Sequence, residues 1–365
     1  MSKQQPLVLI TTGGTGGHVY PGLAVAQELR ERGYRVAWLG TRSGLENRVV
    51  PANGIDMYYM PVRGVRGKGF FKRLRGLFLV WFATLRALWI LLRLRPACVV
   101  GLGGYVAGPA GVAAWLLRRP LIIHEQNSIA GTTNRLLAPL ARRVACGFSG
   151  AFAEKRKAVV TGNPLRADII AAGAGNSYSY DGSQPLKLLV LGGSLGASAI
   201  NDAVPGALRR LSRDGVKRAQ VWHQAGEAHY PEMYARYHDH GSDWARVAPF
   251  IEDMATAYRW ADLVLCRAGA LTVAELAVMG RPAILVPYPY AIDDHQRFNA
   301  QSLVDAGAGV LMLQSELDAS RLSRLLRELH DDPKRLDSMA AAAHRLARPG
   351  ATREVCDLCE ELING

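Results

Sequence analysis

The sequence predicts an α/β protein made of two Rossmann-like, doubly wound parallel-sheet domains facing a central cleft. Three observations carry this. Short apolar runs alternate with helical segments along the chain, as repeated strand–helix–strand units require. A glycine-rich turn follows the first strand of each half: Thr11–His18 after Leu7–Ile10, and Gly192–Ala197 after the run ending at Leu191. These turns lie about half a chain apart, and 365 residues suffice for two domains with separate cores.

In the first half the strand candidates are Leu7–Ile10, Arg35–Leu39, Cys98–Gly101, Leu121–His124, Val144–Cys146 and Ala158–Val160. A Gly/Ser/Tyr-rich stretch, Ala171–Gln184, reads as a linker. The second half restarts at Lys187–Leu191 and continues through Gln220–His223, Arg246–Ala248, Asp262–Cys266, Ala283–Pro287 and Gly309–Leu313. The last segment, from Asp332, reads as helical and is expected to pack back on the first domain.

The short apolar run before the first glycines lacks a cleavage-site pattern, so no signal peptide is expected. Cysteines 98, 146, 266, 356 and 359 are odd in number, and three lie in or beside apolar runs. They read as reduced, buried thiols of a cytoplasmic protein. The Cys356/Cys359 pair has no second Cys or His pair nearby, which argues against a metal site. The net charge of +13 is concentrated: no carboxylate occurs between Asp56 and Glu125, whereas Arg63, Arg66, Lys68, Lys72, Arg73 and Arg75 all fall there, with further arginines. Such a patch calls for an anionic partner.

The glycines of the first turn allow close backbone approach to a ligand, and His18 stands at the turn's exit. The second strand ends Trp38-Leu39-Gly40-Thr41-Arg42 without the acid of a dinucleotide fingerprint, which counts against NAD. Neither turn carries the Gly-Lys-Ser/Thr of a nucleotide-hydrolysing loop. A third such turn, Gly101–Pro109, follows the strand at Cys98 and would line the same crevice. The polar quartet His124-Glu125-Gln126-Asn127 ends a buried strand and suits hydroxyl groups, with Glu125 a base or an orienter. In the second half, Cys266–Glu275 runs from strand end into helix. Its helix start suits a phosphate, and Glu275 suits a ribose diol, because a carboxylate only accepts. Asp293–Asn299 offers similar polar density. His229, His238 and His240 read as exposed helix positions rather than metal ligands, and no Asp-x-Asp clamp occurs.

The segment Leu77–Leu92 is apolar apart from Thr84 and Arg86, with Lys72, Arg73 and Arg75 before it and Arg93 and Arg95 after. It is short for a membrane span. One face is expected on the sheet. The other, with Leu79, Trp81 and Phe82, is expected in an anionic membrane surface.

Several motifs together resemble the bacterial UDP-N-acetylglucosamine–N-acetylmuramyl-(pentapeptide) pyrophosphoryl-undecaprenol N-acetylglucosamine transferase family, MurG. They are Gly13–His18 with Pro21-Gly22, Gly101–Pro109, His124–Asn127 with Ile129-Ala130-Gly131, Gly162-Asn163-Pro164 with Arg166, Gly192–Gly196, Phe250-Ile251, Arg267–Glu275 and Gln296–Asn299. The resemblance spans nearly the whole chain and implies a GT-B fold. An acceptor and membrane-facing domain would cover 1–165, with a helix at about 345–365 packing back on it; a donor domain would cover 166–344.

The implied activity is inverting transfer of N-acetylglucosamine from UDP-N-acetylglucosamine to the 4-hydroxyl of the N-acetylmuramoyl group of lipid I. Lipid II forms on the cytoplasmic face of the inner membrane, without a metal or other cofactor. Carried over by motif, the donor contacts are Thr15, Gly16, Gly17, Asn127, Arg166, Ser194, Ile251 (to uracil, by backbone), Ala270, Leu271, Thr272, Val273, Ala274, Glu275 and Gln296. The acceptor diphosphate would lie near Gly14, Gly103, Gly104 and Tyr105. His18 is the first candidate for the base and Glu125 the second. Other cell-wall synthesis proteins are expected partners. The alternative is a non-hydrolysing UDP-N-acetylglucosamine 2-epimerase, which shares fold and donor but needs no membrane patch. Nucleic-acid binding would explain the charge but not the glycine turns.

Overall fold

A computed structural model describes residues 5–61, 70–152, 157–193, 195–213, 219–238 and 244–365. The chain divides into two compact units: Met1–Arg166 with Pro349–Gly365, and Ala167–Arg348.

The first unit opens with β1 (Leu7–Thr11), α1 (Gly16–Glu31), β2 (Arg35–Gly40), α2 (Glu46–Ala52), β3 (Asp56–Tyr59) and α3 (Phe70–Leu94). It continues with β4 (Cys98–Gly101), α4 (Gly104–Leu116), β5 (Leu121–Glu125), α5 (Thr132–Leu137), β6 (Arg143–Cys146) and β7 (Ala158–Val160). The strands form one sheet in the order β3-β2-β1-β4-β5-β6-β7, with every pairing parallel. Along β1, Leu7 and Leu9 pack in a core with residues of α3 and α4, whereas Val8 and Ile10 pack in a second core with residues of α1. Both faces are covered, which is why these strands read as unbroken apolar runs. The exception is β3, a half-exposed edge strand whose Asp56-Met57-Tyr58-Tyr59 carries no continuous apolar signal and was not anticipated from the sequence.

The second unit begins with α6 (Ala167–Ala174), then β8 (Lys187–Leu191), α7 (Ser198–Arg213), β9 (Gln220–Gln224), α8 (Tyr230–His238), β10 (Ala245–Ala248) and α9 (Met254–Trp260). It goes on through β11 (Leu263–Cys266), α10 (Ala270–Met279), β12 (Ala283–Leu285), α11 (His295–Asp305), β13 (Gly309–Leu311), α12 (Ala319–His330) and α13 (Pro333–Arg345). Its parallel sheet runs β10-β9-β8-β11-β12-β13.

The chain then returns to the first unit as α14 (Ala351–Asn364), which packs on α1 and β4. Val355, Cys356 and Cys359 join the core around Val8 and Ile10. Arg32 binds Glu28, Asp357 (2.6 Å) and Glu360 (3.0 Å), and Arg143 binds Glu361. All five cysteines are free and buried.

Two expectations need correction. The final segment is two helices, not one: Pro349-Gly350 separates α13 in the second unit from α14 in the first. The stretch 171–184 is not a loose linker. Asn176 donates from Nδ2 to the Met279 carbonyl and accepts from Arg281 Nη2, each at 2.8 Å. The Tyr178 hydroxyl donates to the Asp262 carbonyl at 3.0 Å, and burial pushes its pKa well above the usual tyrosine range. Its composition read as a linker, but these rings and amides find partners in the second unit.

Candidate active site

In the first sheet the chain leaves β1 in one direction toward β2 and returns beside it as β4, so the loops after β1 and β4 flank a topological switch point. In the second sheet the same relation holds for the loops after β8 and β11. Open parallel sheets bind ligands at such points. The glycine-rich turns singled out from the sequence are these loops. The helices α1, α4 and α10 begin there behind Thr15, Gly103 and Gly269, with no side-chain cap and no acid in the first turn. By contrast, α9, α12 and α13 are capped by Asp253, Asp318 and Asp332. Helix starts without a carboxylate of their own suit an anionic ligand.

The β1 turn is shaped from outside. Glu46, fully buried at the start of α2, accepts the Gly14 N–H at 3.0 Å, the Thr41 N–H at 2.9 Å and the Thr41 hydroxyl at 2.7 Å. The β4 turn lies against it: Gly104 has φ +79°, and a Cβ there would stand 2.6 Å from the Gly13 carbonyl oxygen. The Thr12 hydroxyl donates to the Gly103 carbonyl. Gly14, Gly103 and Gly104 are therefore one backbone-lined surface, with Thr15 and Gly17 exposed, Gly16 half-buried and Tyr105 half exposed at its rim.

His18, half-buried, approaches Gln126 Oε1 through Nδ1 at 2.9 Å. Gln126 Nε2 donates to the His124 carbonyl (3.3 Å) and lies 3.1 Å from His124 Nδ1. His124 Nε2 meets the Gly162 carbonyl at 2.9 Å, and burial pulls the His124 pKa down to about 4. Glu125 is committed elsewhere. Its Oε1 accepts from Asn127 N (3.0 Å) and Nδ2 (3.2 Å), and its Oε2 from Gly131 N (3.0 Å) and Asn134 Nδ2 (2.9 Å). With four donors on its two oxygens, this carboxylate orients the 127–131 loop. Asn163 donates to the Gln126 carbonyl at 3.1 Å and braces the same strand end. Arg166, half-buried, closes the first unit.

In the second unit Ser194 lies outside the described residues. Around it, Gly196 has φ +79°, and a Cβ there would stand 2.1 Å from the Ala225 carbonyl oxygen, so the turns after β8 and β9 touch through backbone alone. Gln224 bridges Gly193 and Ile251, donating to the Gly193 carbonyl and accepting the Ile251 N–H, each at 2.9 Å. In α10, Ala270 and Val273 are buried, whereas Leu271, Thr272, Ala274 and Glu275 are half-buried. The buried Tyr258 hydroxyl donates to Glu275 Oε2 at 2.9 Å and orients it. Gln296 Oε1 accepts the Tyr288 N–H at 2.9 Å, and Asn299 donates to the Ala268 carbonyl at 3.2 Å. Arg267 is used structurally: it donates to the carbonyls of Val286 and Pro287 and to Gln314.

Glu46, Asn134, Gln224 and Tyr258 were not singled out from the sequence. A Glu opening a helix reads as an ordinary dipole partner, and a Tyr inside one reads as core. Of the three histidines considered as a group, His229 lies 3.4 Å from the Ser198 hydroxyl, His238 stacks on Tyr234, and His240 lies outside the described residues. Among the described residues no group of three or more His, Cys, Asp and Glu is placed to hold a metal ion.

On α3, Ala83, Ala87, Ile90 and Leu91 are buried at helical spacing, against a core shared with α4. The opposite side exposes Phe78, Leu79, Trp81, Phe82, Trp89 and Leu92, with Trp81 57% accessible. Arg86 and Arg93 lie over the Trp89 ring. Lys72, Arg73 and Arg75 belong to the first turns of α3, and their side chains lie outside the described set. No helix among the described residues is long and apolar enough to cross a membrane.

Two parallel α/β units, each with a glycine turn at its switch point, have the architecture of the GT-B class. The models of the glycosyltransferase family 28 N-terminal and C-terminal domains match residues 8–146 and 187–355. The UDP-N-acetylglucosamine--N-acetylmuramyl-(pentapeptide) pyrophosphoryl-undecaprenol N-acetylglucosamine transferase of Alkalilimnicola ehrlichii is 54% identical over 97% of this chain and 98% of its own. The crystal structure of Acinetobacter baumannii MurG superposes with a TM-score of 0.81 at 38% identity, covering 98% of this chain and 99% of that one. A UDP-N-acetylglucosamine 2-epimerase structure shares the fold alone, with a TM-score of 0.68 at 15% identity, over 97% of this chain and 94% of that one. The chain belongs to glycosyltransferase family 28 and, within it, to the MurG transferases.

Proposed function

We infer that this chain transfers N-acetylglucosamine from UDP-N-acetylglucosamine to lipid I, giving lipid II for peptidoglycan. The observation that carries this is the near full-length match, at 54% identity, to a transferase of that name. The acceptor 4-hydroxyl attacks the anomeric carbon as UDP leaves from the opposite face, so the configuration inverts in one displacement. His18 takes the hydroxyl proton, since Glu125 is saturated with donors.

The donor is assigned to the second unit. Glu275, oriented by Tyr258, receives the ribose hydroxyls. Because the Ile251 N–H is already given to Gln224, the Ile251 carbonyl is the backbone group left for uracil. The diphosphate is held by loop amides and the α10 start, with Ser194, Arg166 and Gln296. Thr15, Gly16, Gly17 and Asn127 complete the donor contacts, and Gly14, Gly103, Gly104 and Tyr105 take the acceptor diphosphate. No step of this displacement calls for a metal. The exposed face of α3 docks on the anionic cytoplasmic surface of the inner membrane, where lipid I lies.

The test is a transfer assay on the full chain with labelled UDP-N-acetylglucosamine and a lipid I analogue. A disaccharide-linked lipid product is expected. Epimerised sugar formed from donor alone, with no transfer, would overturn the reading in favour of the epimerase.

A further inference from the structure

We propose that Gln126, itself held by His124, is the positioning residue that fixes His18 as the Nδ1–H tautomer and turns its Nε2 lone pair to the acceptor hydroxyl. The proposal rests on the reading of His18 as the base, and it follows from a chain of donors and acceptors with one consistent solution.

The Gly162 carbonyl can only accept, so His124 Nε2 must carry the proton in the 2.9 Å contact between them. His124 is fully buried in the first unit and neutral at physiological pH, so its Nδ1 is bare. The Gln126 amide has its nitrogen beside two acceptors, His124 Nδ1 and the His124 carbonyl oxygen. The carbonyl contact alone sets the amide orientation, and the Nδ1 contact agrees with it. Gln126 Oε1 therefore faces His18 Nδ1 at 2.9 Å, and an amide oxygen there requires His18 Nδ1 to be the donor. In neutral His18 the lone pair is then on Nε2. Asn163 fixes the relay from behind by donating to the Gln126 main-chain carbonyl. On the other side, the ring edge at Cε1 and Nδ1 lies against Gly103, where even a Cβ would approach to 3.2 Å. The ring is thus held at Nδ1 and packed at its edge.

Free imidazole favours the opposite tautomer, so without the relay much of the enzyme would present an N–H, and not a lone pair, to the acceptor. As the acceptor oxygen bonds to the anomeric carbon and the bond to UDP breaks, Nε2 takes the hydroxyl proton. The imidazolium goes on donating from Nδ1 to Gln126.

The experiment is nitrogen NMR of the full chain with 15N-labelled histidine, with the His18 signals assigned by their loss in His18→Ala. The expected wild-type spectrum shows protonated Nδ1 and bare Nε2 at His18. Gln126→Leu should shift His18 to the Nε2–H form and lower kcat about 100-fold with little change in KM. Far-UV circular dichroism and UDP affinity of Gln126→Leu, expected to match the wild type, guard against a mere folding defect. An Nε2–H His18 in the wild type, or an unchanged tautomer in Gln126→Leu, overturns the proposal. The wild-type tautomer found as expected, together with a fully active His18→Ala, supports the relay and refutes only the assignment of His18 as base.

Discussion

Glu46, 32 residues further along the chain, accepts the Gly14 N–H at 3.0 Å and braces the first glycine turn. The other oxygen binds Thr41 through both backbone and hydroxyl. A buried carboxylate thus replaces what a longer turn would need to build from its own residues. A Cβ at Gly13 would stand only 2.5 Å from Glu46 Oε1, so the glycine and the acid require each other.

Glu46→Gln should therefore place an amide N–H against a donor in a dry site. We expect a stability loss of about 2–3 kcal/mol, measured by urea denaturation, with transfer reduced in parallel. Gly13→Ala should act in the same direction.

His18→Ala and Glu125→Ala should differ in kind. The first should lower kcat about 100-fold or more with UDP affinity intact. The second should loosen the 127–131 loop, chiefly raising KM and lowering the melting temperature. Steady-state kinetics and calorimetry separate the two.

Tyr258→Phe removes the hydroxyl that orients Glu275 and leaves the buried ring in place. Donor affinity should fall several-fold, and Glu275→Ala should weaken it further, by about 10-fold or more. Calorimetric titration with UDP reads both.

Replacing Leu79, Trp81 and Phe82 together by Ser should release the protein from vesicles rich in anionic lipid. These side chains are exposed and contribute little to the core. Transfer to a short-chain soluble acceptor should survive. Unchanged cosedimentation would count against the docking role of α3.

Stability should fall below neutral pH. Burial holds His124 at about 4 and His223 at about 3, both below the ordinary histidine value near 6.5. The unfolded chain therefore binds more protons on acidification, and the stabilisation present above pH 6.5 is lost as pH falls toward those values. From pH 7 to pH 5 each histidine should cost about 2 kcal/mol. Calorimetric scans across that range should show the melting temperature falling with pH.

Much of the fold was legible. Strands buried on both faces, such as Leu7–Thr11 and Leu263–Cys266, announce themselves as apolar runs with a glycine shortly after, at Gly13 and Gly269. Edge strand β3 was not legible, because half of its surface meets solvent. The 171–184 segment misled for the converse reason: its small and polar residues resemble a linker until Tyr178 and Asn176 are seen to be bonded into the second unit.

By itself the sequence determined the doubling of the α/β unit and the glycine turns, because these follow from local backbone freedom and from the period of apolar residues. Only the tertiary structure decided which polar groups remain available for chemistry. The sequence ranked His18 first and Glu125 second as base, but it did not show what either side chain is bonded to. Their partners differ: Gln126, distant in sequence, meets His18 Nδ1, whereas Asn127, Gly131 and Asn134, close in sequence, occupy the Glu125 carboxylate. Hydrogen-bond saturation is a property of three-dimensional neighbours: even donors close in sequence reach one carboxylate only once the loop has its fold.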